Sequence, residues 1–398
     1  MSLIPPNDVW LLLGCIAAGA AVSIWLEQTN RWAAKLSGPV VALLFGMALS
    51  NTRLLPTEAS SYGMVEDYLV PIAIPLLIFR ANILRILRET GPMFLCFHIA
   101  SVGTVLGAFL AAFLFRGAFE RVPEVTGIMT GSYIGGGVNF VAIQRTYDVA
   151  PQLASSLMVA DNFIMAGMFA ALLVIAGSRF FRRQFPHPHS LAGDREDVTA
   201  LAAQYWRRKE ISLLDIAWAL AIAVAVAAVS SELTELLKRH ITSPIGRSII
   251  ANPFVLITIL SVGITTAFHR FTEKIQGAEE FGMYLLYLFF VVIGLRADLV
   301  QVVKHVPVLF LFCLVMALTN LGFTLAAGKL LKQNLEELLL SVNATLGGAP
   351  TAAAMAISRG WSKLVVPGLL AGIWGYIIGT FVGILVAEAL LKLFGIRA

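Results

Sequence analysis

The sequence predicts an all-α polytopic membrane protein, and three observations predict it. Hydrophobic residues make up 58% of the 398 and charged residues only 13%, against roughly 25% charged in an average soluble chain. The mean hydropathy is +0.82. About 12 apolar segments of spanning length follow one another, without the dyad alternation that marks a β-barrel. Backbone groups in lipid must be satisfied within their own segment, so helices are the expected form. So little charge excludes an ordinary soluble enzyme and a disordered chain.

The first six segments are approximately 9–26, 36–50, 64–80, 93–115, 125–146 and 153–177. The last six are approximately 213–230, 251–268, 281–296, 306–330, 336–358 and 364–394. The segment at 36–50 is short, since roughly 20 apolar residues are usual for a span. Between the two sets lies a polar linker, 178–212, with Arg179, Arg182, Arg183, Arg195, Arg207, Arg208 and Lys209. The linker's His187-Pro188-His189 reads as solvated loop, with metal binding as the other reading. The domain organisation expected is therefore 1–177, a basic linker 178–212, and 213–398. Residues 1–8 carry no Lys or Arg, so the first segment reads as a retained span and not as a secretory signal. The net charge of +5 lies mostly between spans, where it sets orientation and implies no nucleic-acid partner. Taking every segment as a full crossing, the basic linker and both termini are expected in the cytoplasm. Cys15, Cys96 and Cys313 each sit inside an apolar run, as buried thiols do.

The two sets read as copies. Leu77-Ile78-Phe79-Arg80-Ala81-Asn82 matches Ile293-Gly294-Leu295-Arg296-Ala297-Asp298. Leu106-Gly107-Ala108-Phe109-Leu110-Ala111-Ala112 matches Leu321-Gly322-Phe323-Thr324-Leu325-Ala326-Ala327 at five of seven positions. Pro92 pairs with Pro307, and Ile134-Gly135-Gly136 with Leu346-Gly347-Gly348. The common order and near-constant offset point to an internal repeat, which in a multi-span protein is a transporter signature. Six full crossings per half make the repeats parallel, whereas inverted repeats require one segment that does not cross. The short 36–50 segment is a candidate for that exception.

The fifth and eleventh segments are poor continuous helices. The fifth reads Thr130-Gly131-Ser132-Tyr133-Ile134-Gly135-Gly136-Gly137-Val138-Asn139. Each interior glycine costs roughly 1 kcal/mol relative to Ala. The eleventh reads Asn343-Ala344-Thr345-Leu346-Gly347-Gly348-Ala349-Pro350-Thr351, and Pro350 removes a helix donor. Broken helices are tolerated in lipid where they line a cavity, and a half-helix N-terminus there attracts an anion. Ser132, Tyr133, Gly135, Gly136, Gly137, Asn139, Asn343, Thr345, Gly347, Gly348, Pro350 and Thr351 are therefore the candidate substrate-binding residues. The competing reading is close helix packing through small residues.

Asp161, followed by Asn162, lies well inside the sixth segment. A carboxylate at that depth costs several kcal/mol unless paired, hydrated or protonated, and marks a functional site by default. It is the candidate ion-coupling group, with Asn162 as co-ligand; a structural carboxylate is the alternative. Arg80 and Arg296 suit snorkelling, and Glu66-Asp67 and Glu279-Glu280 suit helix N-termini. No Walker A, GxSxG, HExxH or Rossmann pattern occurs.

Over Gly131–Ala142, Asp161-Asn162 and Leu346–Thr351, the chain is similar to the YjcL-like membrane family, catalogued as domain of unknown function 819. More distantly it resembles the cation/proton antiporter and bile-acid/sodium symporter superfamily. That resemblance implies two broken helices crossing at the membrane centre, one per inverted repeat, and a core domain moving against a panel domain. Asp161-Asn162 stands where the antiporters keep an Asp-Asp or Asn-Asp pair, in an order that matches neither.

The function expected is an ion-coupled secondary transporter of the cell membrane, moving a small organic anion or zwitterion by alternating access. A Na+/H+ antiporter is the alternative within the class, and an intramembrane enzyme the alternative outside it. The coupling ion is H+ or Na+, and no metal is expected beyond Na+ at Asp161. No cofactor or catalytic set is expected. The partners expected are the bilayer and the solute, with a second copy of the chain as a further candidate.

Overall fold

The computed structural model describes residues 2–30, 38–190 and 210–396; Arg195, Arg207, Arg208 and Lys209 of the linker lie outside the described residues. Each expected apolar segment falls on a helix, and among the described residues no strand occurs. Among the described residues, eight helices are long and apolar enough to cross a membrane. The first half comprises α1 (Val9–Thr29), α2 (Gly38–Asn51), α3, α4 (Ile83–Glu89), α5 (Pro92–Leu114), α6 (Val122–Tyr147) and α7 (Pro151–Gly177). α3 runs through Ser60–Met64, a π turn at Val65–Leu69, and Val70–Leu77. The second half comprises α8 (Leu213–His240), α9 (Pro253–Ala267), α10 (Ala278–Arg296), α11 (Leu299–Leu330), α12 (Leu335–Ser358) and α13 (Val365–Leu393).

Local chemistry sets the ends. Asn82 and Asp298, which follow the matched Arg80 and Arg296, each cap the next helix, accepting from the N–H of Arg85 and of Gln301. Ser212 and Asp215 form a reciprocal capping box at the start of α8. Beyond the caps the two halves diverge. Gly91, with φ +57°, separates α4 from α5, whereas Pro307 lies inside the unbroken α11. Outward side chains such as Leu214, Trp218, Val224, Val229 and Leu236 of α8 are exposed, as suits a lipid-facing helix.

The helices sort into two packing groups. α1, α2, α3, α8, α9 and α10 pack on one another, with α2 against α10 and α3 against α10 as main contacts. α5, α6, α7, α11, α12 and α13 form the other group, led by α6 against α13 and α5 against α11. Contacts between the groups are light. We call the first group the panel and the second the core.

Hydrogen bonds at helix ends define two faces. Leu3 N–H donates to Arg53 O at 2.8 Å, Asn51 Nδ2 to Ala297 O at 3.0 Å, and Tyr147 Oη to Glu388 Oε1 at 3.0 Å. These gather both termini on one face. Gln276 N–H donates to Asp215 Oδ1 at 3.2 Å, Lys329 Nζ to Gln184 Oε1 at 2.6 Å, and Leu335 N–H to Pro186 O at 2.9 Å. These ends lie on the linker's face, opposite the termini. Six crossings per half would have put the termini and the linker together, so that expectation is corrected here.

Candidate functional site

The correction traces to α6 and α12. As a straight rod, α6 would be about 39 Å long. Instead Arg121, just before it, donates to Tyr147 O at 2.7 Å and to Asp148 O at 2.9 Å, just after it. The chain folds back at Gly135 (φ −143°, ψ 22°) and Gly136 (φ 71°, ψ −170°). Residues 122–134 and 137–147 are thus two arms of a re-entrant hairpin that starts and ends on the termini face. α12 does the same from the linker face. Asn343 Nδ2 reaches Thr351 O at 2.8 Å across the two arms, and a Cβ on Gly368 would touch both Leu340 and Ala352. Its bend is Gly348, at φ 79° and ψ −172°. The expected crossing helices are therefore opposed hairpins. Physically, a residue near φ +75° and ψ 180° occupies a region essentially reserved for glycine and reverses the chain instead of kinking it.

The tips meet. A Cβ on Gly136 would lie 4.0 Å from Gly348 Cα and 3.5 Å from the Tyr376 ring, and one on Gly348 would lie 3.2 Å from Tyr376 Oη. Gly137 and Pro350, one at each tip, are exposed among buried neighbours. Each second arm begins at its tip, so two half-helix N-termini converge there.

The expected binding residues divide by role. Asn139 is 1% exposed. Its Nδ2 donates to Gly135 O at 2.8 Å and Gly375 O at 3.4 Å, and its Oδ1 accepts from Thr380 Oγ1 at 2.6 Å. It pins the first tip to α13. Thr351, in the second arm of the other hairpin, donates to Gly348 O at 3.0 Å. Asn343 ties the arms of that hairpin. Thr345 accepts from Asn320 Nδ2 at 3.2 Å. Ser132 is buried in the first arm, and Gly347 is half-buried at the second tip beside Met165.

Glycines 127, 131 and 135 recur every fourth residue, as do Gly375, Gly379 and Gly383 on α13. The two rows pack backbone to backbone. A Cβ on Gly383 would lie 2.6 Å from Gly127 O, and one on Gly379 would lie 2.9 Å from Gly131 O. Gly135 thus serves packing as well as the bend, while Gly136 supplies the positive φ. The small-xxx-small spacing is legible in the sequence; which row it packs against is not.

Behind the tips, Asn320 Nδ2 also donates to Thr104 Oγ1 at 2.7 Å, Thr324 Oγ1 donates to Asn320 Oδ1 at 3.2 Å, and Thr104 donates to Tyr133 O at 3.0 Å. This network joins α5 and α11 to both hairpins, and sequence reasoning missed it. Tyr133 is fully buried in the first arm. Its hydroxyl lies near Asp161 of α7 and Cys313 of α11. Neither Tyr133 Oη nor Asp161 Oδ1 has a hydrogen-bond partner of ordinary geometry among the described residues, although both atoms are buried. Asn162 follows on α7 and is half-buried. The site thus combines two half-helix N-termini, which attract negative charge, with the half-buried carboxylate of Asp161, whose Oδ1 is enclosed and which attracts a cation or proton.

His189 of the linker lies 3.5 Å from Glu337 at the start of α12. Among the described residues no group of three His, Cys, Asp or Glu side chains could hold a metal ion.

A family model described as "Protein of unknown function (DUF819)" matches residues 14–393. The chain is also 43% identical, over 383 residues, to the uncharacterized membrane protein YjcL of Bacillus subtilis (strain 168), covering 96% of this chain and 97% of that one.

Proposed function

The chain belongs to the DUF819 family of unknown function, and from the site's geometry we propose that it is an ion-coupled secondary transporter working by alternating access. The observation that carries the reading is the pair of opposed hairpins, touching tip to tip at Gly136 and Gly348 near the half-buried carboxylate of Asp161. Broken backbone in a membrane is tolerated where it lines a cavity, and half-helix ends there hold ions and solutes. The solute sits at the tips. A small organic anion or zwitterion suits the converging N-termini. Asp161, with Asn162 beside it, carries the coupling H+ or Na+.

The hairpins also favour inverted repeats. Each half then makes five crossings and one hairpin, and an odd number of crossings inverts the second half. Light contact between panel and core suits a core that moves as one body. Arg80, Arg85, Arg88, Arg179, Arg182 and Arg183 all belong to the linker face, so the positive-inside rule puts that face in the cytoplasm of a cell-membrane protein.

Reconstitution in liposomes tests the reading. Solute uptake is expected to follow an imposed Na+ or H+ gradient and to be abolished by Asp161→Asn in protein that still folds. Ion exchange with no solute moved would turn the assignment to a Na+/H+ antiporter. Gradient-independent turnover of a lipid or peptide, with nothing transported, would overturn it in favour of an enzyme.

A further inference from the structure

One cluster of charge lies at the seam between panel and core and takes no part in the site. On the termini face, Arg145 near the end of the first hairpin reaches Glu66 and Asp67 of the panel helix α3. Arg145 Nη1 lies 3.1 Å from Glu66 Oε2, and its Nη2 bonds Asp67 Oδ1. Arg296, at the end of panel helix α10, reaches the same Glu66 oxygen at 3.3 Å. Glu66 is 6% exposed, so its charge is held largely away from water by two guanidinium groups, one from each group of helices. Neighbouring bonds cross the same seam. Asn252 Nδ2 donates to Thr146 Oγ1 at 3.0 Å, and Gln152 Nε2 donates to Arg296 O at 3.0 Å.

The other half carries the same residues. Ala142-Ile143-Gln144-Arg145-Thr146-Tyr147 ends the first hairpin, and Ala356-Ile357-Ser358-Arg359-Gly360-Trp361 ends the second. Arg145 therefore corresponds to Arg359, and Arg296 to Arg80. Glu279-Glu280 lies in the first turn of panel helix α10, and Glu66-Asp67 in the π turn of α3, each before the apolar stretch of its helix. On the linker face Arg359 is not paired with Glu279 or Glu280. Arg359 lies 6.0 Å over the Trp361 ring, its Nε is buried without a partner, and it forms no ion pair among the described residues. Arg80 bonds Gln276 Oε1 at 2.7 Å.

We propose that the two sets are alternate latches, one on each face, and that only one is closed at a time. The structure has the termini-face latch closed, through Arg145, Glu66 and Arg296. When the core moves toward the other state, Arg145 leaves Glu66 and Asp67, and Arg359 closes on Glu279 and Glu280. The ion pairs hold the two end states and do not touch the solute. This rests on the alternating-access reading and adds to it the groups that set the balance between states. Glu66 is a buried carboxylate, and one that loses a partner is strongly destabilised, so the termini-face latch favours the state in which it is closed.

Cysteine accessibility tests this without knowledge of the solute. Cys15, Cys96 and Cys313 are replaced by alanine and one reporter, Thr351→Cys, is placed at the second tip. A membrane-impermeant maleimide is added to vesicles of each orientation. Glu66→Gln is expected to raise the labelling rate from the termini face by about tenfold, within the usual range for coupled states. Arg359→Gln, or Glu279→Gln with Glu280→Gln, is expected to lower it and to favour labelling from the linker face. Latch variants that move labelling in the same direction, or leave it unchanged in folded protein whose reporter is reached from both faces, would overturn the latch alone. A reporter reached from one face in every variant would overturn the alternating-access reading, and the latch with it.

Discussion

Asn139→Ala separates two roles for the residue most central to the first tip. The substitution removes two short hydrogen bonds, to Gly135 O at 2.8 Å and from Thr380 Oγ1 at 2.6 Å, and a longer one to Gly375 O at 3.4 Å. Side-chain hydrogen bonds in a helical membrane protein contribute about 0.6 kcal/mol on average and about 1.7 at most. The buried polar groups left behind, foremost the Gly135 carbonyl, add about 1–3 kcal/mol when nothing replaces the lost donor. The expected loss is about 2–4 kcal/mol on these figures. Thr380→Val removes one bond and is expected to cost about 1 kcal/mol. Because both substitutions act on one bond, the double variant should lose less than the sum. The assay is unfolding of detergent-solubilised protein in rising SDS, followed by circular dichroism. Wild-type resistance in Asn139→Ala, together with loss of solute-induced thermal stabilisation, would refute the structural role and make Asn139 a solute ligand instead.

Gly136→Ala and Gly348→Ala place a Cβ at φ 71° and 79° with ψ near 180°, and each is expected to cost about 1–3 kcal/mol, read as a lower melting temperature. Gly137→Ala, next to the bend and exposed, should cost less than either; equal losses at all three would refute the bend assignment. Gly379→Leu forces a side chain against Gly131 O, which a Cβ already meets at 2.9 Å. Overpacking of about 3 kcal/mol or more should appear as loss of monodisperse protein on size exclusion, while Gly322→Leu, whose Cβ meets nothing within 4 Å, should behave as wild type.

Much of the molecule was legible before its shape. Apolar run length placed helices at every expected segment, because a helix that satisfies its own backbone is a local solution. The Asn82 and Asp298 caps and the repeated Gly-Gly pairs were equally local. The tips could be suspected from glycine and proline alone, since no ordinary helix interior keeps them. Partnership was not legible. Asn139 and Thr380, Thr104 and Asn320, and Glu66 and Arg145 are far apart in the chain, and nothing in one segment's composition names its neighbour. By sequence alone Arg296 suits a snorkelling anchor and Glu66-Asp67 suit helix-end charges, for that reason.

The low charge content fixed the class of protein, and the same scarcity made Asp161 conspicuous. Whether a glycine pair kinks a helix or reverses it depends on two dihedral angles, which the flanking arms settle by what they pack against. Here the arms of α6 lie along the glycine row of α13, and that contact exists only once the chain has folded back. The reversal then decides the parity of crossings, the side of each terminus and the meeting of the two tips. Sequence alone determined which segments enter the membrane; tertiary packing decided which of them turn back.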